Sequence, residues 1–449
     1  MPRPSLLARL GLDRPELRAW AMYDWAASAM QTTVMVAVFP IYFVKVAGAG
    51  LPEGAATQRL ATVNSLALVV IALVSPVLGA ISDYGGTKKR FLAGFMLLGA
   101  AAVAGLFFVG HGELELGSWL FVLALIGVAG SFVFYEALLP HIARGQEIDR
   151  VSTAGYALGY VGGGLLLALN LAWIQKPGWF GLPAGPGLNP QAATLPARLA
   201  FLSVAIWWLA FSVPLFRTVR EPAARLEPDE RAGGSPVRTA FARLGETFRE
   251  LRGYRQAFLM LLAFLIYNDG IQTIIKMATA YGTELGIDQS ALIGAILLVQ
   301  FVGIPCSFLF GMIAGRVGAK PALFAGLLAY AVISVLGYYM KSAAHFYMLA
   351  GLVGMVQGGT QALSRSLFAS MIPQHKSGEF FGFFSVFEKF AGIFGPLIFA
   401  GTIAATGSSR NAILSVIGFF AVGAAILALV DPDAGRREAR AGEAALRVG

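Results

Sequence analysis

Apolar residues run along this chain in unbroken stretches long enough for a helix to cross about 30 Å of hydrocarbon, which takes roughly 20 residues. Twelve such stretches lie near 18–45, 61–83, 89–110, 118–140, 150–176, 196–217, 255–282, 289–315, 319–340, 344–372, 377–405 and 409–430. They are rich in Leu, Ala, Gly and Phe and lack the alternating segments of about 10 residues that mark a membrane barrel. The pattern predicts an all-α polytopic membrane protein with twelve transmembrane helices. It divides six and six: residues 1–217 form the first half, 218–254 a linker, 255–430 the second half and 431–449 a tail.

The linker has a pattern of its own. Phe241, Leu244, Phe248 and Leu251 follow Val237 at helical intervals, with Arg238, Arg243, Arg249 and Arg252 on the other faces. That spacing predicts an amphipathic helix, lying on the inner leaflet or packed as a solvated helix on the mouth of the bundle. The halves also resemble each other. "LGAISDYGGTKKRFLAG" aligns without gaps on "FGMIAGRVGAKPALFAG", pairing Gly79 with Gly311, Gly86 with Gly318, Lys88 with Lys320 and Gly94 with Gly326. Carried forward, the same offset pairs Gly163 with Gly395. A duplicated six-helix unit is the organisation of transporters that rock two halves about a midplane site.

Composition agrees: of 449 residues, 57% are hydrophobic and only 13% charged, where soluble domains carry about 25%. The net charge of +9 is a topology signal. Basic residues crowd the side that holds both tails and the linker, and only Lys45, Arg59, Lys176, Arg198, Lys341 and Arg410 fall on the other. The positive-inside rule therefore puts both termini in the cytoplasm of a multi-pass inner-membrane protein. No separate basic domain supports nucleic-acid binding. The N-terminus has no short apolar region with a cleavage site, so no signal peptide is expected. Cys306 is the only cysteine, and His111, His141, His345 and His375 all lie near span ends. No catalytic triad, metal cluster or nucleotide loop is present, so neither enzyme activity nor a cofactor is expected.

"GAISDYGGTKKR" resembles the loop between helices two and three of the major facilitator superfamily, with Gly79, Asp83, Gly86, Lys88 and Lys89 at the pattern positions. The glycines permit close approach and a tight turn, and a carboxylate at a helix end can pair with a neighbouring helix N-terminus or a base. The resemblance implies that Asp83, Lys88 and Lys89 latch the halves in one access state. The second copy has Gly315 where the aspartate would stand. "WAMYDWAASAMQTTV", "YNDGIQTIIKMATAYGTELG" and "GGTQALSRSLFASMIP…EFFGFFSVFEKFAGIFGPL" are similar to the vacuole-effluxer-like branch, which includes fungal vacuolar proteins associated with amino-acid export. This resemblance covers the whole chain and implies a transporter.

A charge at the bilayer centre costs about 2.5–3.5 kcal/mol on insertion scales, so each one marks a candidate site. Asp24, Glu136, Asp269 and Arg365 fall on spans one, four, seven and ten, which line the central cavity in the superfamily. Asp24, Glu136 and Arg365 lie toward the cytoplasmic ends, as gate ion pairs or as snorkelling side chains. Asp269 is mid-span and is expected to carry the coupling proton. Lys276 follows by seven positions on the same face, about 10 Å along the axis, too far for a tight pair; it snorkels outward or meets substrate. Glu388 and Lys389 point about 100° apart, so one is expected to line the pathway. Depth and the branch motif favour Lys389 as counter-charge to Asp269.

Trp25, Tyr156, Tyr267, Asn268, Gln272 and Gln361 are candidates for a polar-aromatic wall around a small solute. Gly155, Gly159 and Gly163 recur every fourth residue, a helix-packing pattern. The reading is a secondary transporter of a small polar organic solute, with amino acids among the candidates, acting by alternating access, proton-coupled and monomeric. The alternatives are a proton/drug antiporter and a non-transporting membrane sensor.

Overall fold

The computed structural model describes residues 7, 10–51, 55–144, 146–185, 187–223, 249–287, 289–392, 394–406 and 408–448. All twelve apolar stretches are helical: α1 (Pro15–Ala47), α2 (Ala55–Gly85), α3 (Lys88–Gly105), α4 (Leu114–Ile142), α5 (Gln146–Gln175), α6 (Pro190–Thr218), α7 (Arg255–Glu284), α8 (Gln289–Val317), α9 (Ala319–Tyr338) and α10 (Ala343–Ala369). α11 comes in two pieces, Ser377–Phe390 and Phe394–Thr406, and α12 follows as Ser409–Ser415 and Ile417–Ala428. Among the described residues, eleven segments are long and apolar enough to cross a membrane. The exception is α10, whose Gln357, Gln361 and Arg365 dilute its apolar run. The sequence thus places the elements correctly and misses the interruption of α11. The expected linker helix falls mostly on residues 224–248, outside those described; only its end, with Leu251 buried, is seen.

Local chemistry sets the ends of these helices. Asn189 caps α6 by accepting from Ala192 N at 2.7 Å, with Pro190 next in the chain. Gly86 and Gly318 take φ of +57° and +91°, which lets the chain turn between α2 and α3 and between α8 and α9. Within α1, Met30–Val38 and Phe43–Ala47 are wound as π-helix around Pro40, which has no N–H to donate.

Within each set of six the helices touch through small residues. A Cβ on Gly127 of α4 would come within 2.3 Å of Gly99 Cα of α3, so these backbones are in direct contact. Gly155 and Gly159 do the same for α5 against α1, where added Cβ atoms would lie 2.5 Å from Asp24 Oδ2 and 2.6 Å from Ser28 Oγ. With no apolar gain from leaving lipid for lipid-like neighbours, such close packing is what holds the helices together.

The internal duplication slips by one residue at the start of its third helix. Lys89 Nζ donates to Phe216 O at 3.0 Å at the end of α6, and Lys320 Nζ donates to Ala428 O at 2.8 Å and Val430 O at 2.7 Å at the end of α12. By this work, and by its place as second residue of the helix, Lys320 is the counterpart of Lys89. The ungapped alignment paired it with Lys88. The cause is one extra turn residue, Thr87, before α3.

The tail is helical as α13 (Pro432–Val448) and folds against the bundle. Asp431 accepts from Asp433 N at 2.9 Å and Ala434 N at 3.0 Å, and the Ala434 N–H chiefly holds its carboxyl below the ordinary carboxylate range. Glu443 accepts from Gln374 N at 3.2 Å, and so ties α13 to the connection between α10 and α11. α13 and the start of α1 lie on one face of the bundle, the basal face.

Candidate substrate pathway and gate

Arg365 of α10 sits among residues of the first six helices. Its Nη1 lies 3.4 Å from Asp24 Oδ2 and 3.8 Å from Glu136 Oε1. Its Nε donates to Ser152 Oγ and its Nη2 to Ser152 O, both at 2.9 Å. Tyr135 donates to Asp24 Oδ2 at 2.8 Å. The guanidinium also packs over Trp20, Tyr135 and Tyr156, with ring centroids 4.9, 5.7 and 4.6 Å away. Arg365, Asp24 and Glu136 are only 1%, 4% and 6% exposed. They form one buried cluster that joins the two halves, and the snorkelling alternative falls because no charged head reaches water. Two carboxylates share one guanidinium, which leaves the cluster one negative charge in excess when both are ionised. Such an excess is costly in a low-dielectric interior, and binding a proton removes it.

Of the three residues expected to form a latch, Asp83 and Lys88 meet each other and the start of α11. Asp83 pairs with Lys88, and its oxygens accept from Gly378 N at 3.1 Å and Glu379 N at 2.7 Å at the start of α11. The carboxylate thus meets both a base and a positive helix terminus. A Cβ at Gly79 would lie 2.2 Å from Gly378 O, so only glycine lets α2 and α11 meet. Lys89 does not cross between the halves; its N–H donates to Glu221 at 3.0 Å. Burial pushes the Glu221 carboxyl up, and that N–H opposes it. Where the second copy has Gly315, a Cβ would lie 3.2 Å from Arg150 Nη2, so α5 covers the missing aspartate's place. Further bonds join the halves at the same face: Arg144 to Gln374 Oε1 (3.1 Å), Gln374 Nε2 to Pro140 O (2.6 Å), and Ser366 to Asp149 Oδ1 (2.6 Å). The bundle is closed at its basal face.

Asp83→Asn removes the charge that pairs with the buried Lys88 and leaves one acceptor oxygen where the N–H groups of Gly378 and Glu379 use two. Asp83→Asn is expected to lower transport about tenfold, since charged hydrogen bonds contribute roughly 1.5–3 kcal/mol each. It should also raise maleimide labelling of a cysteine placed at Gln374; unchanged labelling would count against the latch.

At mid-span the structure departs from expectation. Asp269, 2% exposed, does not face Lys389. Its Oδ1 accepts from Gly392 N at 2.6 Å and Gly395 N at 3.0 Å, where α11 is interrupted. Lys389 Nζ is instead 2.6 Å from Glu388 Oε2, both side chains half-buried. Neighbours 100° apart meet because their long side chains fold toward each other. Lys276 does not snorkel away; its Nζ donates to Gly392 O at 3.2 Å.

The expected polar-aromatic wall is only partly assembled. Gln361 Nε2 donates to Asn268 Oδ1 at 2.7 Å, while Asn268 Nδ2 is buried with no hydrogen-bond partner among the described residues. Tyr267 is fully buried, its hydroxyl 2.5 Å from Ser364 Oγ. Gln272 packs beside Gly392, Tyr156 faces Arg365, and Trp25 stacks on Trp207 of α6 at 5.6 Å. Sequence reasoning missed Ser152, Tyr135 and Gly392. Only Gly392 left a signal, as half of a Gly-Ile-Phe-Gly stretch in mid-span.

The pattern for vacuole effluxers similar to Atg22 matches residues 57–149 and 145–440. The chain belongs to this Atg22-like family. It is 36% identical over 417 residues to the MFS-type transporter YxiO of Bacillus subtilis, covering 92% of this chain and 94% of that protein. It is 24% identical over 501 residues to autophagy-related protein 22 of Yarrowia lipolytica, covering 93% and 81%. Two solved structures share the fold. The human organic anion transporter MFSD10 matches with TM-score 0.71 at 14% identity, over 94% of this chain and 100% of that one. FucP in its outward conformation matches with TM-score 0.69 at 12% identity, over 94% and 99%. The Atg22-like chain is thus a major facilitator superfamily transporter of the non-enzymatic vacuole-effluxer branch, with the twelve-helix fold.

Proposed function

We propose that this Atg22-like transporter carries a small zwitterionic solute of the amino-acid class across the inner membrane by proton-coupled alternating access. Both termini and the basal face are assigned to the cytoplasm, following the basic residues. The observation that carries the reading is Arg365 of the second half shared between Asp24 and Glu136 of the first. Opening the basal face must pull the guanidinium away from both acids. A proton taken by Glu136 or Asp24 removes one attraction and one excess charge, so it lowers the cost of that movement. Proton movement and the change of access are then one event, and the proton is carried here rather than at Asp269.

Glu388 and Lys389 support the solute class. Adjacent opposite charges, half-buried at a break in a mid-membrane helix, match an α-carboxylate on Lys389 and an ammonium on Glu388. Gln361 and Asn268 supply neutral hydrogen-bonding groups.

Purified protein in liposomes, loaded with radiolabelled amino acids and given a pH difference, tests the reading. Gradient-driven movement of at least one zwitterion is expected. Glu388→Gln/Lys389→Met is expected to reduce it at least tenfold, the loss of roughly 1.4 kcal/mol or more of binding. Flux indifferent to the gradient, or to the double substitution, would overturn it.

A further inference from the structure

We propose that Asp269 and Lys276 are positioning residues, forming a clamp on the interruption of α11 that holds the Glu388–Lys389 pair toward the solute. This rests on the solute reading above.

The first piece of α11 ends at Phe390, one residue beyond the charged pair. Ala391 is extended (φ −62°, ψ 132°) and Gly392 takes φ of +92°, a left-handed conformation that favours glycine. Helix resumes at Phe394. A break of this kind strands backbone N–H and C=O groups, which in the middle of a membrane must find partners within the protein. α7 supplies them. Asp269 Oδ1 accepts from the N–H groups of both Gly392 and Gly395, acting as an N-cap contributed by another helix. Lys276 Nζ donates to Gly392 O. Asp269 and Lys276, seven positions apart, therefore take the donor and acceptor sides of one kink. Their charges suit these ends, an anion at the start of a helix and a cation on a stranded carbonyl.

The fit leaves no slack. A Cβ at Gly395 would lie 1.8 Å from Thr273 Oγ1 and 3.0 Å from Asp269 Oδ1; one at Gly392 would lie 2.7 Å from Lys276 Nζ. Glycine at both positions brings the kink within reach of α7. The consequence reaches the solute site through geometry: a continuous α11 would turn the last residues of its first piece, Glu388 and Lys389, by a different amount relative to α7. Asp269 and Lys276 thereby explain two mid-membrane charges that do not pair with each other.

The test separates the clamp from a proton-carrying role. Asp269→Asn keeps Oδ1 as an acceptor and abolishes the charge, whereas Asp269→Ala removes the cap. Amide hydrogen exchange across residues 386–399 reports the kink whatever the solute, and zwitterion flux reports the pair. Asp269→Ala is expected to speed exchange at Gly392 and Gly395 and to raise KM with little change in kcat, each by about tenfold on the scale of a lost charged cap. Gly392→Ala, strained at positive φ, should reproduce it. Asp269→Asn should stay within about threefold of wild type in both, because the cap persists, and should keep the wild-type pH profile. Exchange unchanged in Asp269→Ala would overturn the clamp. Faster exchange with unaltered KM would overturn the positioning role. A flattened pH profile in Asp269→Asn would overturn the proposal in favour of Asp269 as the proton carrier. Expected exchange in a protein that moves no zwitterion would sink the solute reading and the positioning role with it, leaving the clamp supported on exchange alone.

Discussion

Arg365→Met is expected to abolish concentrative transport. The substitution keeps much of the side-chain volume but takes from Asp24 and Glu136 the cation that both contact. Removing one partner of a buried ion pair costs about 3–5 kcal/mol. That cost falls on the basal-closed state, where the guanidinium bridges the halves. At about 1.4 kcal/mol per tenfold, the access equilibrium moves by roughly 10² to several times 10³ toward basal opening. Flux should fall by a similar factor, and cysteines introduced at the basal face should become more reactive. Arg365→Lys should recover little, because one ammonium cannot reproduce the guanidinium's two bonds to Ser152 while also meeting both acids. Normal flux in Arg365→Met would remove the gate from the mechanism.

Glu136→Gln is expected to uncouple the protein from the proton. The amide is nearly isosteric and leaves Asp24 with Arg365 as a balanced pair, so the gate should still form. It carries no exchangeable charge, so the cluster no longer gains by binding a proton. Accumulation driven by a pH difference should drop by at least about tenfold. Exchange of labelled for unlabelled solute, which needs no net proton movement, should persist within a few-fold. The direction is fixed by charge: the proposed coupling needs a carboxylate that is protonated in one access state and ionised in the other, and the amide that replaces it would be neutral in both. Asp24→Asn should be the harsher change, since Asp24 Oδ2 accepts from Tyr135 as well as facing Arg365. Persistent gradient-driven accumulation in Glu136→Gln would move the proton elsewhere.

The pattern of apolar residues located all twelve helices, because a chain in lipid must bury its backbone polar groups helix by helix and that requirement is local. The contacts of Asp83 and Lys88 were partly legible, although Lys89, expected with them, stays with the first half. Gly79, Asp83 and Lys88 have few uses at a helix end other than close approach and pairing, and the structure adds only that Gly378 and Glu379 are the partners. Asp24, Glu136 and Arg365 stood out as charges in apolar surroundings, yet nothing in the chain's order said that they meet.

Partnership is what the sequence did not carry. Asp269 and Lys389 have opposite signs and similar depth, and depth along an axis does not specify rotation about it. That rotation was set by Gly392, which interrupts α11, and by glycines that draw α11 against α7. The sequence by itself determined a membrane-embedded chain of twelve helices and the identity of its intramembrane charges, because these follow from the cost of placing each residue in hydrocarbon. Tertiary structure alone decided that Arg365 is shared by two acids, that Lys389 turns to Glu388, and that Asp269 caps a broken helix. Each depends on which faces of distant helices are pressed together, and that is settled by packing across the whole bundle.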